Sequence, residues 1–247
     1  MEPSVAPPNA PTARPTPDLA VEMELLAAGH HLVAGIDEVG RGAWAGPLYV
    51  GIVTIDRATA PVPEGTRDSK LMTPRARESL CPELEAWCVG WGIGISSSRE
   101  IDNVGLTRAL RLAVARAIAS LPSRPSAVIV DGPIDFVTPG LKRRSEPIHV
   151  RSIVAADRSC GTVAAASVLA KVARDRTMSA LGRRHPDYGF EQHKGYGTGA
   201  HAAAVEDLGL LSGVHRQSWS IAPTRRSTEC TNLIAEGAIA PNSINQW

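Results

Sequence analysis

Asp37 and Glu38 stand side by side at the end of an apolar run, and Gly40-Arg41-Gly42 follows them directly. Adjacent acids after a buried strand have no packing use and are costly to bury without a partner. Successive side chains of an extended strand point to opposite faces. Both acids can then serve one site only if regular pairing stops there, and the glycines predict that it does. Two further aspartates fall at the carboxyl ends of strand-like runs, where open α/β sheets form their active sites: Asp131 after residues 127–130 and Asp157 after residues 152–156. If those strands are neighbours, four carboxylates converge on one edge of the sheet. Such a cluster resists full ionisation unless cations neutralise it. Magnesium or manganese suits an all-oxygen donor set. Two such ions about 4 Å apart can activate a water and stabilise a leaving oxygen in phosphodiester hydrolysis.

Each residue also has a plainer reading. Asp131-Gly132 is a common turn pair, and Asp157-Arg158 can be a helix cap or a surface pair. Asp175 lies four residues after Lys171 on one helix face and is assigned to pairing with it, while Asp135 and Glu146 only flank a loop. Arg41 between two glycines reads as an anion-binding loop or as a tight turn with an exposed arginine. Tyr196, between Gly195 and Gly197, reads as a stacking platform for a sugar or base, or as a turn residue with a buried ring. With three tyrosines and two phenylalanines in the whole chain, it is the better functional candidate.

The elements that must position these groups follow from periodicity. Residues 20–30 predict a helix closed by Gly29. Three strand-like runs, at 32–37, 46–55 and 87–98, predict an antiparallel meander, and Thr73 with Pro74 marks a helix start between the second and third. One long amphipathic helix is predicted across residues 99–121, with Leu106, Leu110, Ala113, Val114, Ala117, Ile118 and Leu121 on its buried face. Residues 126–132 read as a central parallel strand, reached by a right-handed crossover, and residues 147–157 as one more strand. Residues 161–181 form an alanine-rich helix suited to tight packing on a sheet, and a last helix runs from Thr198 to Gly209.

The chain has 247 residues, 43% of them hydrophobic, which is ordinary for a globular protein. Its apolar runs fall well short of the roughly 20 residues needed to span a bilayer, so no membrane association is expected. The Pro/Ala-rich residues 1–19 lack a signal-like core and predict a disordered tail on a cytoplasmic protein, and residues 224–247 a second mobile tail. Cys81, Cys88, Cys160 and Cys230 include no C-x-x-C pair and are expected to be reduced thiols. Net charge is +1, but between Arg158 and Arg226 ten basic residues face five acidic ones, with His185, His193, His201 and His215 among them. A merely solvated surface is the preferred reading of that excess.

Taken in order, the segments GIDEVGRG (35–42), DSK (68–70), IVDG (129–132), AASVLAKVARD (165–175) and YGFEQHKGYGTGAH (188–201) resemble the type 2 ribonuclease H family, ribonuclease HII. The resemblance runs from about Leu32 to Trp219. It implies an α/β, RNase H-like fold: a five-stranded mixed sheet flanked by helices, followed by a helical C-terminal region within a domain spanning 20–223. It implies Asp37, Glu38, Asp131 and Asp157 as catalytic metal ligands for Mg2+ or Mn2+. Gly40, Arg41, Gly42 and Tyr196 then recognise the 2′-hydroxyl at an RNA-DNA junction, and Ser167 and Lys171 contact phosphates. The implied substrates are RNA-DNA hybrids and DNA duplexes containing ribonucleotides, cut by a monomer. The sequence departs from the family pattern at Ala155, where a lysine is usual, at Leu71, where a second lysine is usual, and at Val39, where alanine is usual. The related ribonuclease HIII is the competing enzyme reading; fewer than 35 residues precede the first motif, too few for its extra N-terminal domain. A non-catalytic hybrid-binding module of the same fold is the competing non-enzymatic one. Clustered acids without metals bring such a module nothing on a polyanion.

Overall fold

The computed structural model describes residues 16–140 and 147–221. Residues 1–15 of the expected tail 1–19 and all of the expected tail 224–247, with Arg225, Arg226 and Cys230, lie outside the described residues, as does Glu146. Packed chain begins earlier than residue 20. The Asp18 carbonyl accepts from the Gly161 amide at 2.7 Å, and Leu19 is buried.

Helix α1 (Ala20–Ala27) leads into β1 (Val33–Val39), which pairs antiparallel with β2 (Leu48–Ile55). After helix α2 (Pro74–Trp87), β3 (Gly90–Ser96) completes the expected meander against β2. Thr73 caps α2 by accepting the Ala76 amide at 3.2 Å. The single helix expected next is two helices, α3 (Ser98–Val104) and α4 (Leu106–Ala119). They part at Gly105, whose φ of +78° no continuing helix tolerates. A reciprocal capping box between Ser97 and Glu100 makes α3 an element of its own.

Strands β4 (Ala127–Asp131) and β5 (His149–Ile153) then add in parallel beside β1, giving the order β3-β2-β1-β4-β5. This is the five-stranded mixed sheet that the resemblance implies. Helix α5 (Gly161–Arg184) covers one face, and α6 (Phe190–His193) and α7 (Gly199–Leu208) form the helical C-terminal region.

Two cores hold the sheet. On one face Ala34, Ile36, Leu48, Val50, Ile52, Val128 and Val130 pack against α4. Each fully buried large aliphatic there contributes on the order of 1.5–3 kcal/mol. On the other face the alanines of α5 lie almost on the backbone. A Cβ at Gly35 would stand 2.4 Å from Thr162 and one at Gly51 2.3 Å from the Ala166 carbonyl. Glycine at both positions lets a 24-residue helix pass directly beneath the strand that carries Asp37. Cys160 offers the α5 N-terminus no cap; the buried Glu22 carboxylate of α1 takes the Thr162 amide at 2.9 Å and its hydroxyl at 2.7 Å instead.

Candidate active site

The β1–β2 ladder does not stop at the acids. Asp37 pairs with Gly51, Glu38 with Val50 and Val39 with Tyr49. What stops is β4, whose last partner on β1 is Ile36. Alternation therefore sends Asp37 to the α5 face and Glu38 to the opposite face, and both reach the opening that the shorter β4 leaves. Asp131, the last residue of β4, is within electrostatic reach of both.

Asp157 arrives after β5 on a short 3-10 turn, Ala156–Arg158. The Ala156 amide of that turn donates to Asp131 Oδ1 at 2.9 Å, which joins the third acid to the turn bearing the fourth. Ala155 enters the turn in the left-handed region, at φ 57° and ψ 41°. That conformation costs a non-glycine residue about 1 kcal/mol or more. Ala155→Gly is therefore expected to stabilise the protein by up to ~1 kcal/mol, read as a rise in the urea midpoint without a change in slope.

A second turn, Ser69–Leu71, carries a cation into the acids. Asp68 opens it by accepting the Lys70 amide at 2.9 Å. The buried Arg77 of α2 holds it by donating to the Ser69 and Met72 carbonyls, both at 2.8 Å. The Lys70 ammonium stands 3.6 Å from Asp157 and 4.0 Å from Asp68. Burial works against its charge, but the carboxylates of Asp68, Asp157, Asp37 and Asp131 outweigh that and raise its pKa.

The acids themselves are held away from full ionisation. Burial first, then the neighbouring charges of Glu38 and Asp131, push Asp37 up to about 7, against the opposing effects of a hydrogen bond from Ser167 and the charge of Lys70. Glu38 is raised by burial and by Asp131, against Arg41; Asp157 is raised by burial, Asp68 and Asp131, against Lys70. Among the described residues no three acid, histidine or cysteine side chains are drawn together tightly enough to form a ready-made metal cage. The donor chemistry nevertheless fits a divalent cation. All four groups offer oxygen, burial and neighbouring charge raise three of them, Asp37, Glu38 and Asp157, and the Lys70 ammonium stands beside Asp157. Ser167→Ala should move the acid limb of the pH–rate profile to higher pH, since it removes a hydrogen bond that favours ionised Asp37.

Beside the acids lies the Gly40–Gly46 loop. Arg41 is 56% exposed and pairs with Glu38 at 3.2 Å. Gly42 is exposed, with open space where a Cβ would be. The Gly195–Gly197 loop lies against this one: the Trp44 amide donates to the Gly195 carbonyl at 2.8 Å, and a Cβ at Gly197 would strike the Trp44 indole. Tyr196 is half-buried between them. A shallow cavity of about 120 Å³ between Arg41, Asp131, Leu106, Leu110 and Phe136 opens next to the acids.

The family model for ribonuclease HII matches residues 34–222, from the strand that bears Asp37 to the end of the described chain. The chain belongs to the ribonuclease HII family. It is 45% identical over 205 residues to ribonuclease HII of Streptomyces avermitilis, covering 83% of this chain and 84% of that protein. It is 44% identical over 189 residues to a ribonuclease HII of Thermus thermophilus, covering 76% and 86%. Among solved structures, ribonuclease H2 from Pyrococcus horikoshii matches with a TM-score of 0.63 at 29% identity, over 77% of this chain and 95% of that one. An RNase HIII solved in complex with Mn2+ shares the fold at a TM-score of 0.58 and 20% identity, over 79% and 70%.

Within this ribonuclease HII chain, Ser167 is not on the surface. It is 1% exposed, bonded to Ser69 at 2.8 Å and to Asp37, so it sits beneath the acid rather than facing solvent. Lys171 pairs with Asp175 at 2.7 Å, as the spacing predicted, and Arg77 reaches the same carboxylate at 3.3 Å. The basic excess of the C-terminal third shrinks in three dimensions. Arg174 and Arg216 are fully buried, and Arg176 pairs with Glu78. His193, His201 and His215 stack inside the C-terminal region, where burial lowers His201 and pushes His215 down to about 4. Asp68 and Lys70 join the site although neither is singled out among the sequence's candidate residues; their place in the DSK segment is the signal that marks them.

Proposed function

We propose that this protein is an endonuclease that nicks the ribonucleotide-bearing strand of RNA-DNA hybrids, and of DNA duplexes containing a single ribonucleotide, on the 5′ side of the ribonucleotide. The observation that carries this reading is the junction of two features. An acid cluster short of ionisation lies beside two interlocked loops that present Arg41, Gly42 and Tyr196. Asp37, Glu38, Asp131 and Asp157 would hold Mg2+ or Mn2+. When bound, two such ions lower the pKa of the attacking water and stabilise charge on the leaving oxygen. Water attacks phosphorus and the bond to the upstream 3′ oxygen breaks, leaving a 3′-hydroxyl and a 5′-phosphate on the ribonucleotide. Asp37 and Glu38 approach from opposite faces of the sheet, the Ala156 amide fixes Asp131, and Lys70 supplies a fixed positive charge at the scissile phosphate.

Arg41 and Tyr196 read the 2′-hydroxyl, the group by which RNA differs from DNA, and exposed Gly42 lets the backbone approach the sugar. Lys171 contributes to holding the phosphate backbone. The biological role is removal of ribonucleotides from DNA and of RNA primers, by a cytoplasmic monomer; three free thiols pushed up to about 11 by burial suit a reducing compartment.

The test compares cleavage of a duplex containing one ribonucleotide with cleavage of a continuous hybrid. Both should be cut, and Tyr196→Ala should lower the rate on the single ribonucleotide by about ten- to a hundredfold, the value of one lost stacking or polar contact. Cleavage of the hybrid alone would point to HIII-like activity. Binding without a cut would leave a hybrid-binding module.

A further inference from the structure

Arg174 of α5 and Arg216, beyond α7, are both 0% exposed, and among the described residues neither forms an ion pair with a carboxylate. A buried guanidinium is costly unless its donors are satisfied. Here the acceptors are backbone carbonyls of the two loops beside the acids and of their immediate flanks, with Arg216 Nε alone of these donors left without a partner among the described residues. Arg174 donates from Nε to Pro47 at 3.0 Å, from Nη2 to Ala45 at 3.2 Å and from Nη1 to Lys194 at 2.9 Å, so one side chain bridges both loops. Its guanidinium lies 5.3 Å from the centre of the Tyr196 ring. Arg216 donates to the Arg41 carbonyl at 2.8 Å, to Gly46 at 3.2 Å and to Gly40, and stacks over Trp219 at 4.9 Å.

Two glycines of the first loop are cut to the side chains of α5. A Cβ at Gly40 would lie 2.1 Å from Arg174 Nε, and one at Gly46 2.3 Å from Met178 Sδ. The passage of Arg174 thus accounts for glycine at position 40. Burial lowers both arginines, and Arg216, at about 10, remains charged at neutral pH.

We propose that Arg174, which joins the Arg41 loop to the Tyr196 loop, and Arg216, which pins the Arg41 loop to the segment beyond α7, are positioning residues that together set selectivity for a single ribonucleotide. The clamp rests on the sugar-reading role given above to those loops. Among the described residues neither guanidinium bonds to the acids, whose strands and turns are held by β2, Ala156 and Arg77; the clamped loop meets them only through the exposed Arg41–Glu38 pair at 3.2 Å. Lysine preserves the charge but cannot span two or three carbonyls as a planar fork does.

The experiment measures kcat/KM for Arg174→Lys and Arg216→Lys on the single-ribonucleotide duplex and on the continuous hybrid, with melting temperature in parallel, and adds the double variant Arg174→Lys/Tyr196→Ala. The expected result is a loss of about tenfold or more on the single ribonucleotide, under threefold on the hybrid, and no further loss in the double variant beyond Tyr196→Ala alone. Equal proportional loss on both substrates, with or without a lower melting temperature, overturns the proposal. Multiplying effects in the double variant, or unchanged selectivity, do the same. If the wild-type enzyme itself cuts no single ribonucleotide, the sugar-reading role fails, independently of the clamp.

Discussion

Asp131→Asn is expected to reduce cleavage by about a thousandfold or more while leaving the fold in place. The carboxylate sits at the last position of β4, where it faces both Asp37 and Glu38 across the gap that the strand's end creates. Removing one of four charges takes away a ligand for cations whose charge stabilisation is worth several kcal/mol, at about 1.4 kcal/mol per tenfold in rate. The structural role of the residue is preserved. The amide oxygen of asparagine can still accept the Ala156 N–H that now goes to Oδ1 at 2.9 Å, so the turn carrying Asp157 keeps its anchor. Circular dichroism and the urea midpoint should match wild type; a rate within tenfold of wild type would remove Asp131 from the reaction.

Asp37→Asn is expected to abolish activity as well, and to make the metal-free protein more stable at alkaline pH. Its carboxyl titrates at about 7 in the fold against 3.8 when unperturbed. The folded state therefore binds more protons than the unfolded state between these values. Its contribution to stability is full below about pH 4 and is lost as pH rises through 7. By pH 8 the ionised, buried carboxylate costs about 4 kcal/mol relative to a neutral isostere. In chelator, wild type and Asp37→Asn should unfold alike at pH 4 and diverge up to pH 8, with the variant the more stable. Added Mn2+ should close the gap by stabilising wild type alone. Parallel curves for the two proteins across this range would show that Asp37 is not strained by its site.

Much of this was readable in the residues because each signal was local. Thr73-Pro74 marked the start of α2, Thr198 and Gly209 bracketed α7, and the apolar runs gave all five strands. The acids could be found for a similar reason: buried carboxylates at strand ends have few structural uses. What escaped was set by contacts distant in sequence. Nothing near Asp37 indicates that β1 stays paired with β2 while β4 stops short, so the two adjacent acids reach one site by straddling the sheet rather than by a break in it. Gly105 looked tolerable inside an amphipathic pattern and instead ends a helix. Arg174 and Arg216 counted as surface charge, because composition does not distinguish a solvated arginine from one whose guanidinium is taken up by loop carbonyls. Ser167 was placed against a phosphate by analogy, whereas its burial sets it under Asp37.

The most direct test of the central claim is the position and chemistry of a single cut. A duplex carrying one ribonucleotide, end-labelled on that strand, is incubated with the protein in Mg2+, in Mn2+ and in chelator, and the products are sized and their ends tested with a ligase. One nick is expected, only with divalent metal, immediately 5′ of the ribonucleotide and leaving a 3′-hydroxyl. A cut on its 3′ side, a terminal cyclic phosphate, or equal cleavage in chelator would contradict the claim.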